Sequence, residues 1–304
     1  MEGKTVYMFP GQGSQSVGMR SRLGAMTEEQ KELFSTADYV LGFHLSVLID
    51  EGPDEELTRT LNTQPALLVM GVAFARGLDD RGHRADIVLG HSLGEYAALV
   101  HGGVIEFRDA VRIVRRRGEL MEKAVKNTPG KMAAVIGAER AKVEALIAEC
   151  AKDGVIEITN FNSPVQVVLS GETAAVNRAV SLINDGGIGK AVELNVSAPF
   201  HSSLMKPVAE EFSIFLDGFE FRPPRVEFID NVTGLMERDP ANIKNKLVLQ
   251  LSSPVQWERS VTTAVDAGAA TFIESGPGAV LAGLVKRIAK DRTIMTGEKA
   301  LKNA

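Results

Sequence analysis

The 304 residues contain one cysteine, Cys150, one tryptophan and three tyrosines. A lone cysteine excludes an internal disulfide and a cysteine-cluster metal site, and it suits a reducing cytoplasm. Positive charge is not in excess: 34 Lys and Arg stand against 39 Asp and Glu, a net charge of −5. No global basic field therefore calls for nucleic acid or an anionic membrane. No apolar run approaches the ~20 residues of a membrane span, and the opening MEGKTVYMF does not have the layout of a secretory leader. What is present is an ordinary soluble composition, 44% apolar and 24% charged. That is enough for a large domain with a smaller companion.

Short apolar runs alternate with helical patterns. TVYMF (5–9) reads as a buried strand stopped by Pro10-Gly11, and DIVLG (86–90) as a second strand. A helix is expected to start near Pro65, since proline suits a first helical turn. EFRDAVRIVRRRGELMEKAV (106–125) reads as a long helix. This alternation predicts a parallel α/β sheet. The middle of the chain differs. MAAVIG, AERAKVEALIAECA, VIEITNFN, VQVVLSG, ETAAVNRAVSLINDGG and KAVELNVSA follow in the order β-α-β-β-α-β, a ferredoxin-like unit. Residues 127–198 are therefore expected to form a small subdomain inserted into a large one made of residues 1–126 and 199–304.

Between the strand DIVLG and the pattern GEYAALV lies Gly90-His91-Ser92-Leu93-Gly94. Glycines two residues either side of a serine let a strand–turn–helix elbow hold the hydroxyl clear of the sheet. The pattern alone also fits a tight turn. The strand before it and the helix after it favour a nucleophile, and the Leu93 N–H then lies at a helix start, placed to stabilise an oxyanion. A serine nucleophile needs a base. Of the five histidines, His44, His83, His91, His101 and His201, His91 adjoins Ser92, and adjacent side chains at such a turn diverge. His201, in NVSAPFHSSLM, lies where the chain re-enters the large subdomain beside the inter-subdomain cleft, where ligand sites concentrate. It is the preferred base.

Two further features stand out. In the long helix, Ala110, Ile113, Val114, Met121, Ala124 and Val125 form an apolar stripe that passes through Arg117. A guanidinium on a buried face is costly unless paired. Periodicity leaves two readings open: an internal acidic partner, or a substrate carboxylate held by paired hydrogen bonds. In FPGQGSQSVGM (9–19) the third glycine of a dinucleotide fingerprint falls on Ser16, and no Gly-Lys-Ser/Thr follows, so neither a dinucleotide nor a Walker loop fits. The loop can instead bring the Gln12 N–H to the serine as a second oxyanion donor.

Together FPGQGSQ, NTQPAL, GHSLGEYAALV, RRRGELM, NFNSPVQVVLSG, VSAPFHSSLM, SSPVQW and FIESGPGAVLAGLVKRI resemble the malonyl-CoA:acyl carrier protein transacylases, in the family's order across almost the whole chain. The resemblance implies an α/β-hydrolase-like large subdomain carrying the ferredoxin-like small one. It implies a ping-pong transfer that supplies fatty-acid synthesis: malonyl-CoA acylates Ser92, and the phosphopantetheine thiol of acyl carrier protein then takes the malonyl group. His201 would pair with Ser92 as a dyad, oriented by a main-chain carbonyl that matches Gln250. Arg117 would bind the malonyl carboxylate. Phe200, next to the histidine, matches members that prefer malonyl over bulkier extender units, and Asn160 and Asn162 match a loop near the cleft. No resident cofactor or metal is implied, and the chain is expected to be monomeric. Docking an acidic carrier protein on an acidic chain calls for a local basic patch, with Arg115, Arg116, Lys286, Arg287 and Lys290 as candidates. Two alternatives share these features: a trans-acting malonyl transferase of polyketide synthesis, and a serine thioesterase or esterase with water as acceptor.

Overall fold

A computed structural model describes residues 3–196 and 198–302, the side chains of residues 126 and 127 aside. Ser197, which falls in the last strand expected for the small subdomain and in the motif carrying His201, lies outside the described residues. So do residues 1–2 and 303–304.

The strands are β1 (Lys4–Phe9), β2 (Ile87–Gly90), β3 (Lys131–Ile136), β4 (Ile156–Ser163), β5 (Gln166–Gly171), β6 (Lys190–Glu193), β7 (Glu227–Ile229), β8 (Met236–Glu237), β9 (Ala269–Glu274) and β10 (Thr293–Thr296). Six of them form one sheet in the order β10-β9-β1-β2-β7-β8. Its pairs are parallel except the β7–β8 edge. Val6, Tyr7, Met8 and Phe9 of β1 and Ile87, Val88 and Leu89 of β2 are all fully buried. Continuous apolar runs of this kind are what a parallel sheet covered on both faces requires. The other four strands form an antiparallel sheet in the order β4-β5-β3-β6, with the helices Arg140–Cys150 and Thr173–Asp185 interleaved in sequence. The α/β class and the ferredoxin-like strand order are as the sequence predicts. The last strand is shorter than expected, pairing only over Lys190–Glu193.

The helix expected to begin near Pro65 begins five residues earlier, spanning Thr60–Asp80 with the proline inside it. Proline lacks the N–H that would bond the carbonyl four residues back and pushes against that carbonyl. Here that group is Leu61 O, and it accepts from Arg115 Nη1 at 3.4 Å instead. A contact from a different helix thus takes over a bond the proline cannot make.

The elbow is built by close approach. A Cβ at Gly94 would lie 1.9 Å from the Phe9 carbonyl oxygen, so the helix Gly94–His101 can sit on β1 only without a side chain there. A Cβ at Gly11 would lie 2.5 Å from the His91 carbonyl oxygen, which is how the first loop reaches the elbow. Gly94→Ala is expected to destabilise the protein by about 3 kcal/mol, lowering the melting temperature by roughly 6 °C or more in a calorimetric scan. An unchanged transition would show that the helix can slide away from β1.

Candidate active site

β2 ends at Gly90 and the next helix begins at Gly94. Between them Ser92 adopts φ +51°, a left-handed backbone that non-glycine residues hold only under constraint. His201 does the same at φ +62°. Among the described residues these are the two non-glycine positions with positive φ, and their side chains meet. Ser92 Oγ lies 2.8 Å from His201 Nε2, and His201 Nδ1 lies 2.7 Å from the Gln250 carbonyl oxygen. A carbonyl accepts only, so Nδ1 carries the proton and Nε2 is left to accept from the serine. Burial, the nearby Arg117 charge and, less, His91 push the His201 pKa down to about 3, against a partial upward pull from the Gln250 carbonyl. The imidazole is therefore neutral at physiological pH.

Arg117 is 1% exposed, on the buried face of the helix Phe107–Asn127 with Ile113, Val114, Leu120 and Met121. The apolar stripe predicts this face correctly. Its Nη2 donates to Ser92 Oγ at 3.1 Å and to Gln250 Oε1 at 2.9 Å, and among the described residues its buried Nε–H has no hydrogen-bond partner. The guanidinium carbon lies 5.7 Å from the centre of the Tyr96 ring. Among the described residues no acidic side chain bonds it directly. Glu95, 2% exposed, is the buried carboxyl whose charge acts on it, two hydrogen bonds away through Gln250. Burial and the neighbouring Asp230 hold the Glu95 carboxyl well above the usual carboxylate range.

The other residues singled out in the sequence converge on one cavity of about 280 Å³. Gln12, Leu93, Asn160, Asn162 and Phe200 line it together with Ser92, His201 and Arg117. Gln250 stands behind it. The N–H groups of Gln12 and Leu93 make no hydrogen bond among the described residues, whereas the Ser92 N–H is taken by Asn231 Oδ1 at 2.6 Å. Asn160 arrives because β4 bridges Val255: the Phe161 N–H donates to Val255 O and the Val255 N–H to Thr159 O, each at 2.9 Å. Asn162 Oδ1 lies 2.9 Å from His91 Nε2. His91 therefore turns away from Ser92 toward β4, and burial pushes its pKa down as well. His101 is packed at 5.2 Å against the Tyr7 ring, near Asp79.

Sequence reasoning missed Glu95 and Asn231. Both are buried polar residues, which need partners, and for Asn231 the signal was the polar turn that follows Phe228 and Ile229 of β7 in FIDNVTG. Among the described residues no His, Cys, Asp or Glu cluster is arranged to hold a metal ion, and no helix is long and apolar enough to cross a membrane.

A serine on a strained elbow, bonded to a neutral histidine beside a buried arginine, and carried on a parallel sheet with an antiparallel companion, defines a serine acyl-transfer enzyme. The chain belongs to the acyl transferase domain family, whose model matches residues 6–300. Within it, the chain is 43% identical over 286 residues to the malonyl CoA-acyl carrier protein transacylase of Bacillus subtilis (strain 168), covering 94% of this chain and 90% of that one. It is 44% identical over 283 residues to the protein of the same name from Escherichia coli (strain K12), covering 93% and 92%. An acyl carrier protein S-malonyltransferase from Vibrio cholerae superposes with a TM-score of 0.92 at 43% identity, covering 96% of each chain. A malonyl-transacylase solved in complex with its type II PKS acyl-carrier protein superposes with a TM-score of 0.93 at 39% identity, covering 99% and 100%.

Proposed function

We propose that this acyltransferase moves the malonyl group from malonyl-CoA to the phosphopantetheine thiol of acyl carrier protein, through an ester on Ser92. The observation that carries the reading is a buried guanidinium 3.1 Å from the nucleophile, with an unpartnered Nε–H. An esterase for neutral acyl groups has no use for it, and a malonyl carboxylate has.

In the first half-reaction His201 Nε2 takes the hydroxyl proton as Ser92 Oγ attacks the thioester carbon. The Gln12 and Leu93 N–H groups hold the oxyanion. The C–S bond breaks, and the CoA thiolate leaves with the proton from Nε2. In the second half the carrier thiol gives its proton to Nε2, its sulfur attacks the ester carbon, and Ser92 Oγ leaves and regains that proton. The malonyl carboxylate on Arg117 also offsets the charge that depresses His201. Substrate binding thereby makes the base stronger, which favours malonyl over acetyl in the chemical step as well as in binding.

The enzyme is proposed to work as a monomer in the cytoplasm. Residues 1–126 with 199–304, and residues 127–198, are taken as the two lobes bracketing the cavity. Of the basic candidates, Arg115 and Arg116 are committed to ion pairs with Glu119 and Glu211, at 2.8 and 2.7 Å. Lys286 and Arg287 extend from the helix whose Val280, Leu281 and Leu284 line the cavity, and the carrier is placed there.

Intact mass tests the function. Malonyl-CoA should leave one malonyl adduct on Ser92, and added acyl carrier protein should remove it faster than water does. No adduct, or loss to water at the same rate, refutes transfer to the carrier. Phe200 is 6% exposed on the cavity wall. Phe200→Ala should raise methylmalonyl loading relative to malonyl about tenfold, the scale of one methyl-sized discrimination. An unchanged ratio in competition removes Phe200 from specificity.

A further inference from the structure

The backbone on either side of His91 is tied by one side chain from the turn after another strand. β2 and β7 run parallel, and their last paired residues are Leu89 and Ile229. One rung further the elbow turns away, leaving the Gly90 carbonyl and the Ser92 N–H beyond the ladder. Asn231, two residues past the end of β7, supplies both missing partners. Its Nδ2 donates to Gly90 O at 2.6 Å, and its Oδ1 accepts from the Ser92 N–H at 2.6 Å. A side-chain amide here replaces a peptide group of the sheet.

The amide is held in turn. The Asn231 N–H donates to Glu95 Oε1 at 2.6 Å. Glu95 Oε2 accepts from Gln250 Nε2, which also donates to Ser92 O at 3.0 Å. Gln250 is the residue that bonds Arg117 through Oε1 and His201 through its carbonyl. A ring of hydrogen bonds thus runs from Ser92 through Asn231, Glu95 and Gln250 back to Ser92. Asn231 is fully buried, so neither of its bonds can be replaced by bulk water.

We infer that Asn231 is a positioning residue for the nucleophile: its amide clamps Ser92 in the left-handed backbone that aims Oγ at His201. The geometry is specific to a short amide, with one donor and one acceptor on the same planar group. Leucine has the volume and neither function. The clamp also occupies the Ser92 N–H, which leaves the oxyanion to Gln12 and Leu93. It touches neither the acyl group nor the carboxylate site, so its loss acts on the chemical step. A displacement near 1 Å at a reacting atom can cost on the order of 100-fold in rate.

This inference rests on Ser92 being the acyl carrier, and two probes separate the two claims. Asn231→Ala and Asn231→Leu are compared with the parent in labelling by a fluorophosphonate, which reports serine reactivity alone, and in single-turnover loading from malonyl-CoA. Both rates are expected to fall about 100-fold, while the malonyl-CoA concentration for half-maximal loading moves by less than about threefold, since the Arg117 contact is intact. Rates within threefold of the parent, or a loss carried by weaker binding, overturn the clamp. A parent that labels but does not load overturns the malonyl reading and leaves the clamp standing. If neither variant folds, amide exchange in the parent decides: a Ser92 N–H protected to the level of the β2 amides supports the clamp, and loop-like exchange overturns it.

Discussion

His201→Ala is expected to slow acylation of Ser92 by malonyl-CoA about 10³-fold, the midrange for loss of a positioned general base. The measurement is the single-turnover rate of adduct formation by intact mass. The expectation follows from two bonds in series, Gln250 O accepting from Nδ1 and Nε2 facing Ser92 Oγ, and among the described residues no other histidine is bonded to that hydroxyl. A rate within tenfold of the parent would mean that His201 does not take the proton. The pH profile carries a second check. A pKa depressed to about 3 leaves His201 neutral well into acid. The parent rate should stay flat from about pH 8 to about pH 5 and fall only as the imidazole protonates below that. A histidine at its ordinary value would instead lose activity below about pH 6.5.

Arg117→Ala should lower malonyl loading by about 10²- to 10³-fold, the scale of leaving one member of a buried charge pair without its partner. Acetyl loading, which needs no carboxylate clamp, should fall less than tenfold. Arg117→Lys should recover only part of the difference, because an ammonium cannot present two parallel N–H groups. Removing the guanidinium also removes a positive charge that disfavours the imidazolium. The His201 pKa must then rise, and the acid limb of acetyl loading must move to higher pH. Equal losses for both acyl groups defeat the carboxylate assignment, and an unmoved acid limb defeats the coupling to His201. Comparing the two substrates in one variant cancels any general loss of stability.

Local pattern was a sufficient guide wherever a few consecutive residues decide the outcome. Apolar runs in β1 and β2 specified strands buried on both faces, and the β-α-β-β-α-β order specified the antiparallel sheet. The strand–Gly-x-Ser-x-Gly–helix pattern specified the elbow, because glycine is needed where Gly94 meets the Phe9 carbonyl. The apolar stripe put Arg117 on the buried face. Pro65 shows the limit: its propensity points to a helix start, and a long-range bond from Arg115 overrides it.

By itself, then, the sequence determined the two sheets, the turn serine and the misplaced arginine, since each is written in residue spacing over one or two elements. It could not choose between an acidic partner and an open guanidinium for Arg117, nor place Asn231 at all. Residues 92, 117, 201, 231 and 250 lie on separate elements, and no periodicity relates them. Only the packing of the parallel sheet, which sets the end of β7 beside the elbow and the Gln250 carbonyl behind His201, brought them within hydrogen-bond reach. Hydrogen bonds are short and directional, so sequence can nominate their donors and acceptors, and tertiary structure decides which of them meet.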